Sequence, residues 1–325
     1  MTGQELLAAQ FSRFSTPGNP RFFDALCRHL SGLAEDPCVS MYFEFAITTN
    51  DRGRAVAALL ADRKDLRGAT YLDIGCAYGG FLIAFAEHGA RATGIDINST
   101  LLGLARQNLA DHDVDAPLIL GDATNLSALD QLRGAVDVAT CNDVIEHVDS
   151  PPALARTIAD LLAPNGLCYL EIPNAWLPAY VQSDGHFQLF GITQLDYDDA
   201  KRYWEARHPG LSYPNVLYFP LEEYERLFRE AGLSMEVLPQ TLAHVTVPLI
   251  ERQIAALRAT AAEALEQVPE PVRELVAARV ARYLDEVDRA PRGDEQRFLL
   301  TYGASFWKVL VRKRSDQGLT PPSSA

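Results

Sequence analysis

Short apolar runs of strand length alternate along this chain with longer stretches whose apolar residues recur at helical spacing. Between residues 67 and 175 this alternation is typical of a parallel sheet covered by helices on both faces. Two further apolar runs follow, so the pattern predicts an α/β fold with seven strands. The predicted strands are 69–74, 91–96, 117–120, 134–141, 166–172, 233–238 and 304–311.

Two regions stand outside this alternation. Residues 1–66 are predicted to be mostly helical, because 4–14, 20–33 and 54–66 carry apolar residues at helical spacing. Residues 176–216 are rich in aromatic residues and histidine. Such a segment indicates either a lid over a substrate or a small satellite core.

A third region precedes the last strand. Alanine-rich amphipathic helices are predicted at 248–266 and 271–287, where a hairpin turn would need far fewer residues. We interpret them as an inserted helical hairpin that either leans on the lid or forms a homodimer interface. The chain is therefore divided into a helical N-terminal region (1–66), a core (67–175), a lid (176–216), more of the core (217–244), the hairpin insertion (245–298), a last core strand (299–312) and a disordered tail (313–325).

A tight glycine turn joins the first predicted strand to the first helix of the core. Gly75, Gly79 and Gly80 fall within six residues, and glycine suits a backbone that bends sharply beside a ligand. Ala77 stands where dinucleotide-binding turns need a second glycine to admit a pyrophosphate. Asp73, just before the turn, would repel a pyrophosphate and attract an ammonium or sulfonium. The stretch predicts a site for a cationic nucleoside and argues against an NAD-dependent oxidoreductase.

Acidic residues lie at the ends of three successive predicted strands: Asp73, Asp96 and Asp122. In an open parallel sheet the carboxyl ends of the strands form the ligand-binding edge. Asp96 follows Gly75 by 21 positions, close to the roughly 20 expected of an acid that holds a ribose. The three acids are therefore expected at one ligand site.

Two motifs carry a resemblance to a known family. Asp73-x-Gly75-x-x-x-Gly79 resembles motif I of the class I S-adenosylmethionine-dependent methyltransferases, which often have glycine where Ala77 stands. The run 144–148, Val-Ile-Glu-His-Val, is similar to motif IV of the small-molecule subgroup that includes the ubiquinone-pathway O-methyltransferases. The resemblance implies a Rossmann-like methyltransferase fold, with a mostly parallel seven-stranded sheet whose last strand is antiparallel. It also implies S-adenosylmethionine as the cofactor.

The same resemblance indicates which residues bind the cofactor. Asp122 would accept a hydrogen bond from the adenine amine, and the backbone at Cys141 and Asn142 would contact the methionine part. The predicted cofactor-binding residues are Asp73, Gly75, Cys76, Ala77, Gly79, Asp96, Ile97, Asp122, Ala123, Cys141 and Asn142.

Methyl transfer to oxygen also needs a base for the hydroxyl proton. The candidate catalytic residues are His186, in the predicted lid, and His147, in motif IV. His186 is preferred because lid residues face the acceptor. The aromatic lid indicates a small acceptor with apolar or ring character, and a hydroxyl is the expected target. Methylation of nitrogen or of a sugar or lipid precursor, and a catalytically silent scaffold, are the alternatives.

A metal-dependent version of this site is a further alternative. Asp143, Glu146 and His147 are spaced i, i+3, i+4, so one helical turn would place them on one face. They resemble the set with which small-RNA 2′-O-methyltransferases hold a divalent metal, and His186 or His208 would be the distant fourth ligand. Carboxylates and imidazole suit magnesium, manganese or zinc. A site without metal is nevertheless the expectation.

The composition limits the binding partners and the cellular compartment that are expected for this chain. A net charge of −14 disfavours nucleic acid and anionic membranes as partners. The five cysteines form no Cys-x-x-Cys pair, so neither a zinc site nor a disulfide framework is expected. No signal peptide opens the sequence and no run of 18 apolar residues occurs. A cytoplasmic enzyme with a small-molecule acceptor is the prediction.

Overall fold

The predicted sheet forms in the computed structural model, which describes residues 20–34 and 36–314. Its strands are β1 (Thr70–Ile74), β2 (Arg91–Asp96), β3 (Leu118–Leu120), β4 (Val136–Asn142), β5 (Leu162–Pro173), β6 (Leu233–Val237) and β7 (Phe306–Lys313). They lie in the order β3-β2-β1-β4-β5-β7-β6. The strands β1 to β5 pair in parallel, and β7 is antiparallel to both β5 and β6. The prediction of a mostly parallel sheet with an antiparallel last strand is confirmed.

Helices precede, cover and interrupt this sheet. They are α1 (Pro20–Ser31), α2 (Val39–Ile47), α3 (Thr49–Ala61), α4 (Gly80–Glu87), α5 (Ser99–Asp111), α6 (Pro151–Leu161), α7 (Pro178–Gln182), α8 (Tyr197–Arg207), α9 (Leu221–Glu230), α10 (Val247–Glu266), α11 (Glu270–Arg289) and α12 (Glu295–Tyr302). The helix predicted at 4–14 and all but the first two residues of the predicted tail lie outside the described residues. Within 20–34 and 36–314, no helix combines the length and apolar character that a membrane span requires.

Side-chain caps begin two helices of the core. Asn98 Oδ1 accepts hydrogen bonds from the N–H groups of Thr100 and Leu101, at 2.9 and 3.2 Å, at the start of α5. Ser150 Oγ accepts from the N–H of Ala153 at 3.3 Å, at the start of α6. Such caps satisfy N–H groups that a helix leaves unpaired in its first turn. They also fix the residue at which each of these helices begins after the strand that precedes it.

The aromatic segment 176–216 packs against the helical insertion. Phe187 and Trp204 are 2% and 3% exposed and share one apolar core with α10 and α11. Tyr283 of α11 donates its hydroxyl hydrogen to the carbonyl oxygen of Trp176 at 2.8 Å. The aromatic residues thus build a second core, and the insertion supports the segment that was predicted as a lid.

The region before the last strand differs from the prediction. The sequence assigned 299–312 to the last core strand, but residues 299–302 form the end of α12; the strand itself, predicted over 304–311, is β7 (Phe306–Lys313). Asp294 caps α12 by accepting a hydrogen bond from a backbone N–H of the first turn at 3.0 Å. Phe298 and Tyr302, one helical turn apart, are 3% and 9% exposed. The cap and this helical spacing of buried rings explain why a helix forms there.

The helices α3 and α4 meet at two glycines, Gly53 and Gly80. A Cβ on Gly80 would lie 2.5 Å from the backbone carbon of Thr49, and a Cβ on Gly53 would lie 2.7 Å from the Gly80 oxygen. Gly80→Ala is therefore expected to push the helices apart and to lower the free energy of unfolding by about 1–3 kcal/mol. Denaturant unfolding measures this change.

Gly103→Ala, on α5, is the matched control for that variant. A Cβ on Gly103 would meet no described atom within 4 Å. Alanine has the higher helix propensity, so this variant should keep or raise the stability by up to about 1 kcal/mol. Equal losses in the two variants would contradict the close crossing of α3 and α4.

Candidate functional site

The turn between β1 and α4 requires glycine for steric reasons. Gly75 and Gly79 have φ angles of 72° and 75°. A Cβ on Gly75 would fall 2.3 Å from Val144 Cγ2. Ala77 has a φ of 40°, in the left-handed region that favours glycine. The turn at Gly75 therefore packs against the Val144 side chain, in the loop after β4, with no room for a Cβ.

Asp96 ends β2 directly beside this turn. Its Oδ2 accepts a hydrogen bond from the N–H of Ala77 at 2.9 Å, and its Oδ1 accepts from the N–H of Asn98 at 2.8 Å. The N–H groups of Gly75 and Cys76 donate to the carbonyl oxygen of Ile95 at 2.8 and 3.0 Å, so three hydrogen bonds join the turn to β2. Each carboxylate oxygen keeps a further lone pair. Asp96 can therefore still accept the two hydroxyls of a ribose, although burial raises its pKa.

Asp73 is buried at the end of β1, with 4% of its surface exposed. Its Oδ1 accepts a hydrogen bond from the hydroxyl of Thr140 on β4 at 2.7 Å. The Thr140 oxygen also contacts the Tyr71 hydroxyl at 2.5 Å. Burial raises the pKa of Asp73 to about 7, although the Thr140 hydrogen bond acts in the opposite direction. A cation arriving here would favour the ionised carboxylate.

Exposed apolar side chains mark the ends of β2 and β3. Ile97 and Leu120 are 73% and 60% exposed, and Leu120 pairs with the last residue of β2. Asp122 follows and accepts through Oδ1 from the N–H and the hydroxyl of Thr124, each at 2.8 Å. Ala123 beside it is half-buried. Sequence reasoning missed Leu120, because a strand residue is ordinarily read as core.

Arg52 of α3 is a second residue that sequence reasoning missed. Its Nη1 lies 3.5 Å from Asp143 Oδ2, and its guanidinium carbon lies 3.6 Å from the ring centroid of Phe45. Its Nε is buried without a hydrogen-bond partner in the described part of the chain. Burial lowers the pKa of Arg52, whereas Asp143, Glu171 and Asp73 raise it. Arg52 therefore places a guanidinium, with an unpaired Nε–H donor, near acidic residues at the ligand-binding edge of the sheet.

The loop after β4 is an irregular turn, and the predicted helical turn there was wrong. Asp143 has a φ of 54°, which no helix accommodates, and its carboxylate pairs with Arg52. Asp143 therefore does not share a helical face with Glu146 and His147. Burial raises the pKa of both carboxyls, and the charge of Glu146 adds to the rise at Asp143.

Cys141 and Asn142 end β4 in different environments. Cys141 is fully buried in the sheet core, so its side chain faces away from the site. The Asn142 side-chain amide is buried, and neither its oxygen nor its nitrogen has a hydrogen-bond partner among the described residues. A buried amide without partners is costly, and a ligand that bonds to it would remove that cost.

Glu146, His147 and His186 converge beyond this turn. The Nε2 atoms of His186 and His147 lie 3.7 and 3.8 Å from Glu146 Oε1, and the two ring centroids are 5.0 Å apart. Burial lowers the pKa of His186 to about 3 and also lowers that of His147. Both imidazoles are therefore neutral at pH 7. The two histidines that the sequence offered as rival bases are neighbours at one carboxylate.

Asp184 holds the loop that carries His186. Its Oδ1 accepts from the N–H groups of Phe187 and Gln188, both at 3.0 Å. Its Oδ2 accepts from the His186 N–H and the Tyr218 hydroxyl, both at 3.2 Å. The Tyr218 oxygen in turn lies 2.8 Å from His186 Nδ1. These bonds fix the imidazole so that its Nε2 points to Glu146.

A cavity of about 450 Å³ lies beside Tyr218, between the predicted lid and α11. Phe187 and Tyr213 form part of its wall with their rings stacked at 5.2 Å. Arg279 at its rim pairs with Asp196 at 3.1 Å, so charges of both signs are present. Cavities of this size and aromatic character suit small molecules with a ring.

Two solved structures resemble this chain at low sequence identity. The YcgJ protein from Bacillus subtilis is 16% identical, with a TM-score of 0.45, over 80% of this chain and 98% of that one. Magnesium protoporphyrin IX methyltransferase from Synechocystis, with bound S-adenosylhomocysteine, is 19% identical, with a TM-score of 0.43, over 67% and 87%.

Curated relatives and a family model cover the region of the site. The ubiquinone biosynthesis O-methyltransferase of Pseudomonas paraeruginosa is 28% identical over 190 residues, which are 55% of this chain and 81% of the relative. The Stutzerimonas stutzeri protein of the same name is 29% identical over 190 residues, or 54% and 79%. Residues 45–238, more than half of the chain, match the family model described as a methyltransferase domain. With the glycine turn and the three acids gathered at one sheet edge, this chain belongs to that family and is a class I S-adenosylmethionine-dependent methyltransferase.

Proposed function

We propose that the chain methylates a hydroxyl group of a small molecule. The observation that supports this most directly is the cluster of Glu146, His147 and His186, which follows β4 on the same edge of the sheet as Asp73 and Asp96. A hydroxyl must lose its proton to become a good nucleophile, and carboxylates and imidazoles are the side chains that assist that loss. The cluster thus supplies what oxygen methylation requires beyond the cofactor.

The nucleoside part of S-adenosylmethionine fits the ends of β2 and β3. Asp96 has free lone pairs for the ribose hydroxyls, and Asp122 offers an acceptor for the adenine amine. The exposed side chains of Ile97 and Leu120 supply apolar surface for the ring. Binding would cover these two residues, whose exposure in the free chain is otherwise unfavourable.

The methionine part fits the ends of β1 and β4. Arg52 offers a guanidinium for the carboxylate, and Asp73 an acid for the positive charges. The Asn142 amide, which has no partner among the described residues, offers both a donor and an acceptor. When bound, the cofactor supplies the methyl group together with its sulfonium leaving group. The residues of the chain orient the ligand and exclude water from it.

We propose that His147 and His186 act as one unit with Glu146. Both Nε2 atoms lie within 4 Å of the same carboxylate oxygen, so a hydroxyl that reaches one of these groups meets all three. Asp184 and Tyr218 hold His186 in place by hydrogen bonds. The apolar or ring part of the acceptor then occupies the cavity beside Tyr218.

Calorimetry and an acceptor screen test this proposal. The full chain should bind S-adenosylmethionine and not NAD, and it should form S-adenosylhomocysteine with phenols, hydroxy acids or sugars. Product mass spectrometry then shows whether the new methyl group is on oxygen. Methylation of amines alone would replace the proposal by nitrogen methylation. Cofactor binding without transfer to any acceptor would favour a silent scaffold.

The affinity for S-adenosylmethionine is expected to rise with pH. Asp73 has a pKa raised to about 7 in the free chain, so most of it is protonated below that pH and cannot attract a cation. Ionisation from pH 6 to pH 8 should strengthen binding about tenfold, and the proton that binding releases at pH 6 should no longer be released at pH 8. Calorimetry in buffers of different ionisation enthalpy measures both quantities. Asp73→Asn should bind weakly at every pH, and an unchanged pH profile in this variant would contradict the assignment.

A further inference from the structure

Asn108 of α5 is a fully buried polar side chain beside the glycine turn. It is 0% exposed, and its Nδ2 donates a hydrogen bond to the carbonyl oxygen of Tyr78 at 2.9 Å. At the next residue of the turn, Gly79, a Cβ would lie only 3.2 Å from the Cβ of Ala105, which is also on α5. The turn therefore packs directly against α5, and a side chain of that helix binds one of its main-chain carbonyls.

Two hydrogen bonds hold the turn on either side of its strained residue, Ala77. Its φ of 40° is one that a residue with a Cβ keeps only where the surrounding structure enforces it. The N–H of Ala77 donates to Asp96 Oδ2 at 2.9 Å, and the carbonyl of the following residue accepts from Asn108. The turn can keep this backbone because β2 holds it from one side and α5 holds it from the other.

The Asn108 amide is also paired with a second amide, that of Asn50 on α3. Asn108 Nδ2 donates to Asn50 Oδ1 at 2.8 Å, and Asn50 Nδ2 donates to Asn108 Oδ1 at 3.3 Å. Asn50 Nδ2 also lies 2.9 Å from His112 Nε2. A reversed Asn108 amide would set its oxygen against the Tyr78 carbonyl oxygen, and two acceptors repel each other. The pair therefore holds one orientation and joins α3, α5 and the glycine turn.

Asn50 and Arg52 lie on opposite sides of α3. Two residues along an α-helix are separated by about 200° around its axis, so a helix that turns Asn50 toward α5 presents Arg52 on its other side. There Arg52 Nη1 lies 3.5 Å from Asp143 Oδ2. A rotation of α3 that broke the amide pair would also move the guanidinium. The Asn50 amide thus determines where the guanidinium lies relative to the turn.

We propose that Asn108 is a positioning residue for S-adenosylmethionine, and that it acts on the two parts of the cofactor through separate bonds. Through the Tyr78 carbonyl it holds the turn beside Asp96, where the nucleoside part fits. Through Asn50 it holds Arg52, where the methionine carboxylate fits. The placement of these two parts rests on the proposed function. A site that is held in place in this way pays less ordering entropy when the ligand binds.

Calorimetric titration of the full chain with two ligands tests this proposal. S-adenosylhomocysteine carries the amino-acid part, whereas 5′-methylthioadenosine has the same nucleoside and thioether without it. Asn108→Leu should weaken the binding of both by about tenfold or more, because the Tyr78 carbonyl and the Asn50 amide lose their partner. Asn50→Ala should weaken the binding of S-adenosylhomocysteine by about tenfold but that of methylthioadenosine by less than about twofold, since the bond to the turn remains.

Gln107→Leu is the matched control for Asn108→Leu. Gln107 is the preceding residue of the same helix and is exposed, so both affinities should stay within about twofold of those of the unchanged chain. Circular dichroism shows whether each variant folds. Asn50→Ala serves where Asn108→Leu does not fold, because Asn50 is only half-buried. An Asn50→Ala variant that kept both affinities, or lost both equally as a merely structural residue would, overturns the proposal.

An Arg52→Gln background separates this inference from the proposed function. In that background Asn50→Ala should weaken S-adenosylhomocysteine binding by no more than about twofold further, because its effect passes through the guanidinium. Additive losses would refute the link between the amide pair and Arg52. If these affinities changed as stated while no hydroxyl was methylated, only the proposed function would fail. If a hydroxyl was methylated while both asparagine variants kept full affinity, only the inference would fail.

Discussion

A His186→Gln variant should lose methyl transfer by about 10²–10⁴-fold, the range found when a group that assists proton transfer is removed. Glutamine keeps a polar side chain of similar reach but lacks the lone pair that His186 Nε2 directs at Glu146. The loss should fall on kcat, because in the described part of the chain the His186 ring contacts Glu146, His147 and Tyr218, none of which is assigned to the cofactor. Single-turnover rates at saturating cofactor and acceptor measure it.

The affinity for cofactor is the internal control of that experiment. The calorimetric Kd for S-adenosylmethionine should stay within about twofold, since a residue outside the ligand contacts leaves binding nearly unchanged. His208→Gln should retain the rate. If His186→Gln instead weakened cofactor binding and left kcat intact, the proposed catalytic cluster would be wrong.

An Arg52→Gln variant should weaken the binding of S-adenosylmethionine by about 10–150-fold, which corresponds to a hydrogen bond between charged groups worth about 1.5–3 kcal/mol. Arg52 is the guanidinium that we place on the methionine carboxylate, and its buried Nε has no partner in the described part of the chain. Calorimetry with S-adenosylmethionine and with S-adenosylhomocysteine measures the change, and both ligands should lose affinity because both carry the carboxylate.

Arg54→Gln is the matched control for that variant. Arg54 lies two positions further on the same helix and pairs with Glu87 at 2.8 Å on the surface. Its removal should leave cofactor affinity unchanged and alter stability by less than about 1 kcal/mol. Equal effects of the two substitutions would mean that the helix as a whole, rather than the Arg52 guanidinium, supports the site.

The strands and the residues at the ends of β1 and β2 were predictable because each depends only on nearby sequence. The short apolar runs predicted the strands. An acid or glycine at the carboxyl end of a parallel strand lies at the ligand-binding edge of the sheet, independently of more distant segments. Asp73, Asp96 and Gly75 needed only that rule.

The rest of the site depends on contacts between segments far apart in sequence. His186 approaches Glu146 only because Asp184 and Tyr218 fix its loop. Arg52 sits in an ordinary amphipathic helix, and nothing in its neighbourhood along the chain distinguishes it. Asp143 misled the spacing argument because its positive φ replaces the helical turn on which i, i+3, i+4 spacing depends.

The contact between Gly53 and Gly80 decides how small a working catalytic module can be. Arg52 immediately precedes Gly53, so the close crossing of α3 and α4 holds the guanidinium in register with the glycine turn. A fragment that began at residue 67 would keep the strand, the turn and the acids but would lose this clamp. The match to the family model starts at residue 45 and therefore includes α3. Transplanting this active site into another protein would therefore require α3 as part of the graft.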